Sequence, residues 1–288
     1  MATNPSNQLD QVIRYYESTE FDYRVTWLRS RTSAIHFGLY DSNASHHFAA
    51  LENTNRIMAD FAGIRPQVKV FDAGCGLGNA AFWLAKHRSA QVVGITPVPQ
   101  QVEQCQLEAN RLELDDRCTF IQGDYHAPGL EAEQFDVVWA CESLCHSDQK
   151  GRFYKAAFDL LRPGGKLVIA EYMRQAERFS EADERILDQW LSGWAIPDIE
   201  TIHRHRSMAT SAGFQEIRQR EVTHLARVSL RNLFHHARRW LRFGKLLHTL
   251  GIRNDAQHAN HEGAYFQFKA LEKNLWGYYL LTAEKPSS

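Results

Sequence analysis

The sequence predicts an α/β fold: a doubly wound, mostly parallel sheet, with an N-terminal helical lid and a helical cap inserted after the fifth strand. Three observations predict it. The short apolar run Val68 to Phe71 ends in Asp72 and is followed by Gly74, Gly76 and Gly78. Further strand-length apolar runs, Gln91 to Thr96, Cys118 to Tyr125 and Phe135 to Glu142, alternate with stretches of helical length, as in βαβ units. A helix-ending Leu161-Arg-Pro163-Gly164-Gly165 turn then leads into the run from Lys166 to Glu171.

Each element follows in order. Residues 1–44 read as a helical, aromatic lid holding Tyr15, Tyr16, Tyr23, Trp27 and His36. Residues 45–175 form the core, with a first helix, Asn79 to His87, opening directly after the glycine turn. Residues 176–260 read as a mostly helical cap rich in Arg, His and Trp. Residues 261–288 return to the sheet through a helix, Ala264 to Lys273, and a strand, Gly277 to Ala283.

Composition sets outer bounds. The formal charge of −1 over 288 residues conceals a basic stretch: residues 201–260 carry 11 Lys or Arg against 3 Asp or Glu, and 7 of the 14 histidines. A near-neutral whole with its basic residues inside a cap argues against nucleic acid as a partner. Five scattered cysteines without a CxxC pair argue against a zinc site or a disulfide framework and for a reducing compartment. No apolar run reaches membrane-spanning length and Met-Ala-Thr-Asn-Pro-Ser lacks a leader pattern, so the expected location is cytoplasmic. Aromatic and basic cap helices need a ligand or a neighbour to cover them, so a homo-oligomer is expected.

The glycine turn narrows the ligand. Glycines at alternate positions let backbone approach a ligand with no Cβ in the way. A dinucleotide fingerprint asks for G-x-G-x-x-G, whereas this chain has G-x-G-x-G preceded by Asp72. A carboxylate there repels a pyrophosphate and suits an amine, which points to S-adenosylmethionine (SAM). In their order and spacing, Asp72-Ala-Gly74-Cys75-Gly76, the second strand, Asp124-Tyr125, the fourth strand and the Pro163-Gly-Gly turn resemble class I SAM-dependent methyltransferases over residues 45–175. The resemblance implies a Rossmann-like core binding SAM through Asp72, Gly74, Gly76, Thr96, Gln101, Asp124, Tyr125 and Cys141. Thr96 stands where many of these enzymes have an acid for the ribose. Gly94-Ile-Thr96-Pro-Val-Pro-Gln100-Gln101 is similar instead to the sterol, tocopherol and prenyl diphosphate C-methyltransferase branch, as are Leu51-Glu-Asn-Thr-Asn-Arg56 and Phe268 to Tyr279.

The chemistry of that branch frames the rest. Methylating an alkene carbon creates a cation, so a base must remove a proton and π-faces must stabilise the charge. Glu142, His146 and Glu171 all follow strand carboxyl ends, where ligands sit in open α/β sheets. Glu171 is the favoured base; the competing reading pairs it with an arginine such as Arg174. For the acceptor, Tyr23, His36, Trp194 and His205 supply aromatic and polar walls. Arg238 and Arg239 suit a diphosphate, with Mg2+ beside it and no metal site in the protein itself. The expected reaction is C-methylation of a prenyl diphosphate. O- or N-methylation of a phenol, alkaloid or amine stays open, as does a SAM-binding protein without catalysis.

Overall fold

The computed structural model describes residues 5–22, 32–249 and 255–287; Tyr23 and Trp27 lie outside them. Before the sheet come α1 (Pro5–Asp22) and α2 (His47–Ala62). The core alternates β1 (Lys69–Ala73), α3 (Asn79–Arg88), β2 (Gln91–Thr96), α4 (Pro99–Arg111), β3 (Cys118–Gln122), β4 (Phe135–Cys141), α5 (Lys150–Leu160) and β5 (Leu161–Arg174). Then follow α6 (Glu181–Gly193), α7 (Ile202–Ala212), β6 (Gln215–Glu221), α8 (Thr223–Thr249), α9 (Asp255–Glu272) and β7 (Trp276–Glu284).

Local chemistry sets many of the helix ends. The Ser180 side chain accepts the Asp183 amide at the start of α6, whose first turn holds Glu181, Asp183 and Glu184. Negative charge there complements the positive end of the helix dipole. Thr201 caps α7 in the same way, and Gly213 ends it in the left-handed region.

The seven strands lie in the order β3-β2-β1-β4-β5-β7-β6. β1 to β5 pair in parallel, and β7 runs antiparallel to both β5 and β6. The strand order reverses between β1 and β4, which opens a crevice at their carboxyl ends. Alternation along the strands builds two cores. Val70, Val92, Trp139, Val168, Ala170 and Tyr172 pack with α2, α3 and the α6–α8–α9 group. Phe71, Ala73, Ile95, Val138, Leu167, Ile169 and Met173 pack with α5 and α7.

The region after β5 is mostly helical, as expected, but it also holds a strand. β6 lies inside residues 176–260 and joins the sheet edge. Its sequence, Gln215-Glu-Ile-Arg-Gln-Arg-Glu221, has a single apolar residue and is mostly exposed. Charged residues are what blunt an edge strand against further pairing, and in a sequence they read as a solvated helix face. The helices over the crevice are therefore α6, α8 and α9, while α7 packs beneath the sheet.

Candidate active site

A large cavity opens above the carboxyl ends of β1, β2, β3 and β4 and is roofed by α1, α8 and α9. It holds about 1700 Å³ of empty space, its mouth included.

The glycine turn forms one end. Gly74 has φ +89, and a Cβ on it would meet the Ser143 Cβ at 2.4 Å. Ser143 Oγ donates to Ala73 O at 2.6 Å, so the loops after β1 and β4 are tied at that point. Only glycine allows both the left-handed turn and this approach. Asp72 lines the same end, is 2 % exposed, and its Oδ2 has no hydrogen-bond partner. Burial pushes its carboxyl up to about 7. An orphaned, buried carboxylate beside a glycine cradle fits a ligand that brings its own cation, as the ammonium of SAM does.

The adjoining wall offers hydrogen bonds in the pattern a nucleoside needs. Thr96 Oγ1 donates to Gln101 Oε1 at 2.6 Å, which leaves the Gln101 amide nitrogen as the donor of the pair. Asp124 Oδ1 accepts from the His126 amide at 2.9 Å and lies 2.6 Å from His126 Nδ1. Burial raises the Asp124 carboxyl, but the His126 hydrogen bonds outweigh it and hold the group below its usual range. Tyr125 donates to Ser143 O at 3.1 Å, so this ring edge is fixed to the loop after β4.

Glu142 stands where that loop begins. Its φ of 50° is left-handed, a costly backbone for a non-glycine residue and one that clusters at functional sites. Its carboxylate accepts from the Phe37 amide at 2.7 Å, the Tyr278 hydroxyl at 2.7 Å and the Tyr172 hydroxyl at 3.1 Å. Burial nevertheless pushes it up to about 7, since the three donors offset the desolvation only in part. His36, Cys141 and Glu142 bring ligand atoms within 4.8 Å of one another. That mixed nitrogen, sulfur and oxygen set is not the all-oxygen shell that Mg2+ prefers.

His146 joins the lid to the core. Its Nδ1 lies 3.3 Å from Ala195 O and its Nε2 3.1 Å from the Tyr16 hydroxyl. The first must donate to a carbonyl, so the second accepts from Tyr16. Burial lowers His146 to about 4, so the ring is neutral. Gln8 Nε2 adds bonds to His146 O and Ala195 O, which docks α1 across the cavity.

A family model described as a methyltransferase domain matches residues 71–169, the stretch that carries the glycine turn, Asp124 and Glu142. Residues 71–169 are a methyltransferase domain of the class I SAM-dependent kind. This methyltransferase is 29 % identical over 224 residues to cycloartenol-C-24-methyltransferase 1 of Oryza sativa subsp. japonica, covering 75 % of this chain and 62 % of that one. It spans 62 % or less of the lengths of the plant and yeast sterol methyltransferases it matches. It is 28 % identical to 27-O-demethylrifamycin SV methyltransferase of Amycolatopsis mediterranei, covering 88 % of this chain and 90 % of that one. The cyclase SpnF superposes with a TM-score of 0.78 at 23 % identity, covering 97 % of each chain. Geranyl diphosphate C-methyltransferase from Streptomyces coelicolor A3(2) superposes with a TM-score of 0.69 at 15 % identity, covering 99 % of this chain and 100 % of that one. At those identities the superpositions speak to the fold.

The cavity of this methyltransferase gathers Asp72, Gly74, Gly76, Thr96, Gln101, Asp124, Tyr125, Cys141, Glu142, His146, His36 and Trp194. Four other sequence candidates stand elsewhere, and Tyr23 lies outside the described residues. Glu171 does not line the cavity: it is 1 % exposed, and its carboxylate accepts the Cys145 and Tyr172 amides at 2.9 and 3.0 Å. It braces the 3-10 turn Leu144–His146 against β5. His205 is fully buried beside Tyr154, its Nδ1 2.8 Å from the hydroxyl, on the far side of the sheet. Arg238 and Arg239 are exposed and outside the lining, because α8 turns Leu233, His236 and Ala237 inward instead. The sequence reading missed Tyr172, Tyr278 and Phe37 as the partners of Glu142; they lie far apart in the chain and no local motif links them.

Proposed function

We propose that the protein transfers a methyl group from SAM to an alkene carbon of a neutral, largely apolar acceptor of isoprenoid type, with Glu142 as the base. The observation that carries this reading is Glu142: a cavity-lining carboxylate raised to about 7 and set among aromatic groups. Phe37 and Tyr172 rings lie edge-to-face with centroids 6.3 Å apart, and Phe37 and Tyr278 likewise at 6.4 Å.

Asp72, the glycine turn, the Thr96–Gln101 pair and Asp124 are the residues to hold SAM. When bound, SAM supplies an electrophilic methyl group. The acceptor alkene would give its π-electrons to the new carbon–carbon bond as the S–CH3 bond breaks and its electron pair returns to sulfur, which leaves S-adenosylhomocysteine and a cation on the neighbouring carbon. Aromatic faces lower the energy of that charge. Glu142 takes the proton from an adjacent C–H, whose electrons close the new alkene. Tyr172, Tyr278 and the Phe37 amide hold the carboxylate in place for that transfer. The lid docking through Tyr16 and Gln8 excludes water that would quench the cation.

The diphosphate acceptor of the first reading finds little support in the lining. Among the described residues no Lys or Arg faces the cavity, whereas Asp72, Asp124, Glu142 and Asp148 do. O-methylation is a second reading, favoured by the near full-length match to the rifamycin methyltransferase. The test is incubation with methyl-labelled SAM and a panel of sterols, prenyl alcohols and ketones, phenols, amines and geranyl diphosphate, with and without Mg2+. Label is expected in an uncharged isoprenoid. Label only in a phenol or amine, or only in the Mg2+–diphosphate arm, overturns the proposal.

A further inference from the structure

We infer that Asn260 forms a polar subsite that selects an acceptor carrying a neutral oxygen, a carbonyl or a hydroxyl, at the end of its apolar body. The inference rests on the isoprenoid-type acceptor proposed above and adds the group that orients it.

Asn260 lies on α9 and lines the cavity. Its Oδ1 accepts from the Tyr15 hydroxyl at 2.9 Å, and its backbone carbonyl accepts from Trp194 Nε1 at 3.1 Å. With both oxygens engaged, the side-chain Nδ2 is left as a donor with no partner among the described residues. The position is rigid. A Cβ on Gly193 would stand 2.5 Å from Ala259 O, and one on Gly263 2.6 Å from the Trp194 ring, so α6 and α9 meet backbone to backbone at this level. The neighbouring wall holds Leu233, Ala237 and Ala264 beside His236 and His261. A donor amide in such a wall satisfies an oxygen lone pair. Among the described lining residues no Lys or Arg stands ready to pair with a diphosphate, whose burial is costly without such a partner.

Equilibrium dialysis of the full chain with saturating S-adenosylhomocysteine tests this without turnover. The probes are geranylacetone, a ketone; geraniol, an alcohol; myrcene, a hydrocarbon; and geranyl diphosphate. The unaltered protein is expected to bind ketone and alcohol roughly tenfold more tightly than myrcene, about the worth of one well-placed hydrogen bond. Geranyl diphosphate is expected to bind most weakly. Asn260→Asp keeps the oxygen that Tyr15 uses but replaces the donor with an acceptor. It should weaken geranylacetone by about tenfold or more, and spare geraniol, which can donate to the carboxylate. Asn260→Leu should erase the advantage of both oxygenated ligands over myrcene. Geranyl diphosphate as the tightest ligand, no binding of either oxygenated ligand, or equal losses of ketone and alcohol in Asn260→Asp would each overturn the subsite. Because no methyl moves, the result is independent of whether turnover occurs at carbon or oxygen.

Discussion

Glu142→Gln is expected to bind SAM as the unaltered protein does and to lose turnover by roughly a hundredfold or more, the usual size of a general-base contribution. The amide keeps the shape, and its oxygen can still accept from the Phe37 amide and Tyr278 while its NH2 donates to the Tyr172 hydroxyl, but it cannot take a proton. The pH profile supplies an independent reading. Glu142 must be ionised to act, and burial sets its carboxyl at about 7. kcat/KM is therefore expected to fall about tenfold per pH unit below that value and to level off above it. In Glu142→Gln the residual activity should lose that limb. Steady-state kinetics between mildly acidic and alkaline pH check both points, and full activity in the variant would remove Glu142 from the chemistry.

Asp72→Asn should move ligand binding and stability in opposite directions. A hydrogen bond to a charged group is worth about 1.5–3 kcal/mol, so the variant should bind SAM roughly 10- to 150-fold more weakly. Without ligand the sign reverses. Asp72 is buried and has one unpartnered oxygen, and burial pushes its carboxyl from the usual 3.8 up to about 7 in the folded state. The folded protein thus holds that proton more firmly than the unfolded chain. This contribution to stability is complete below the unfolded value and is lost as pH rises through about 7. The span corresponds to a cost on the order of 4 kcal/mol at alkaline pH. The ligand-free variant is expected to melt higher than the unaltered protein at pH 8 and to show a smaller upward shift on adding SAM. Calorimetry on both proteins, with and without SAM, checks the crossing; a variant that melts lower and still binds SAM normally would contradict the role given to Asp72.

The glycine-turn end of the cavity was legible because its chemistry is local. Asp72, Gly74 and Gly76 sit within one turn, and Thr96 and Gln101 within another, so strand, loop and helix start are fixed by neighbouring residues. The acceptor end depends on which way side chains face. Glu142 follows the end of β4, whereas Glu171 lies inside β5, which runs on to Arg174, and only Glu142 reaches the cavity. The signal that separates them is strand alternation. Tyr172 faces the cavity, so Glu171, one residue earlier in extended β5, points to the other face with Ile169 and Met173. The same logic on α8 assigns His236 and Ala237 inward and Arg238 and Arg239 outward, a split that helical periodicity contains once one inward residue is known. β6 escaped because an edge strand facing water carries no apolar alternation. The meeting of Glu142 with Phe37, Tyr172 and Tyr278 is a product of the whole topology.

The central claim is that the methyl group goes to carbon. Its most direct test is carbon-13 NMR of the product formed from methyl-13C SAM and whichever panel acceptor turns over. A labelled signal in the aliphatic region, coupled to a neighbouring carbon when the acceptor is also labelled, is the predicted result. A labelled signal in the methoxy or N-methyl region, with no such coupling, would contradict it.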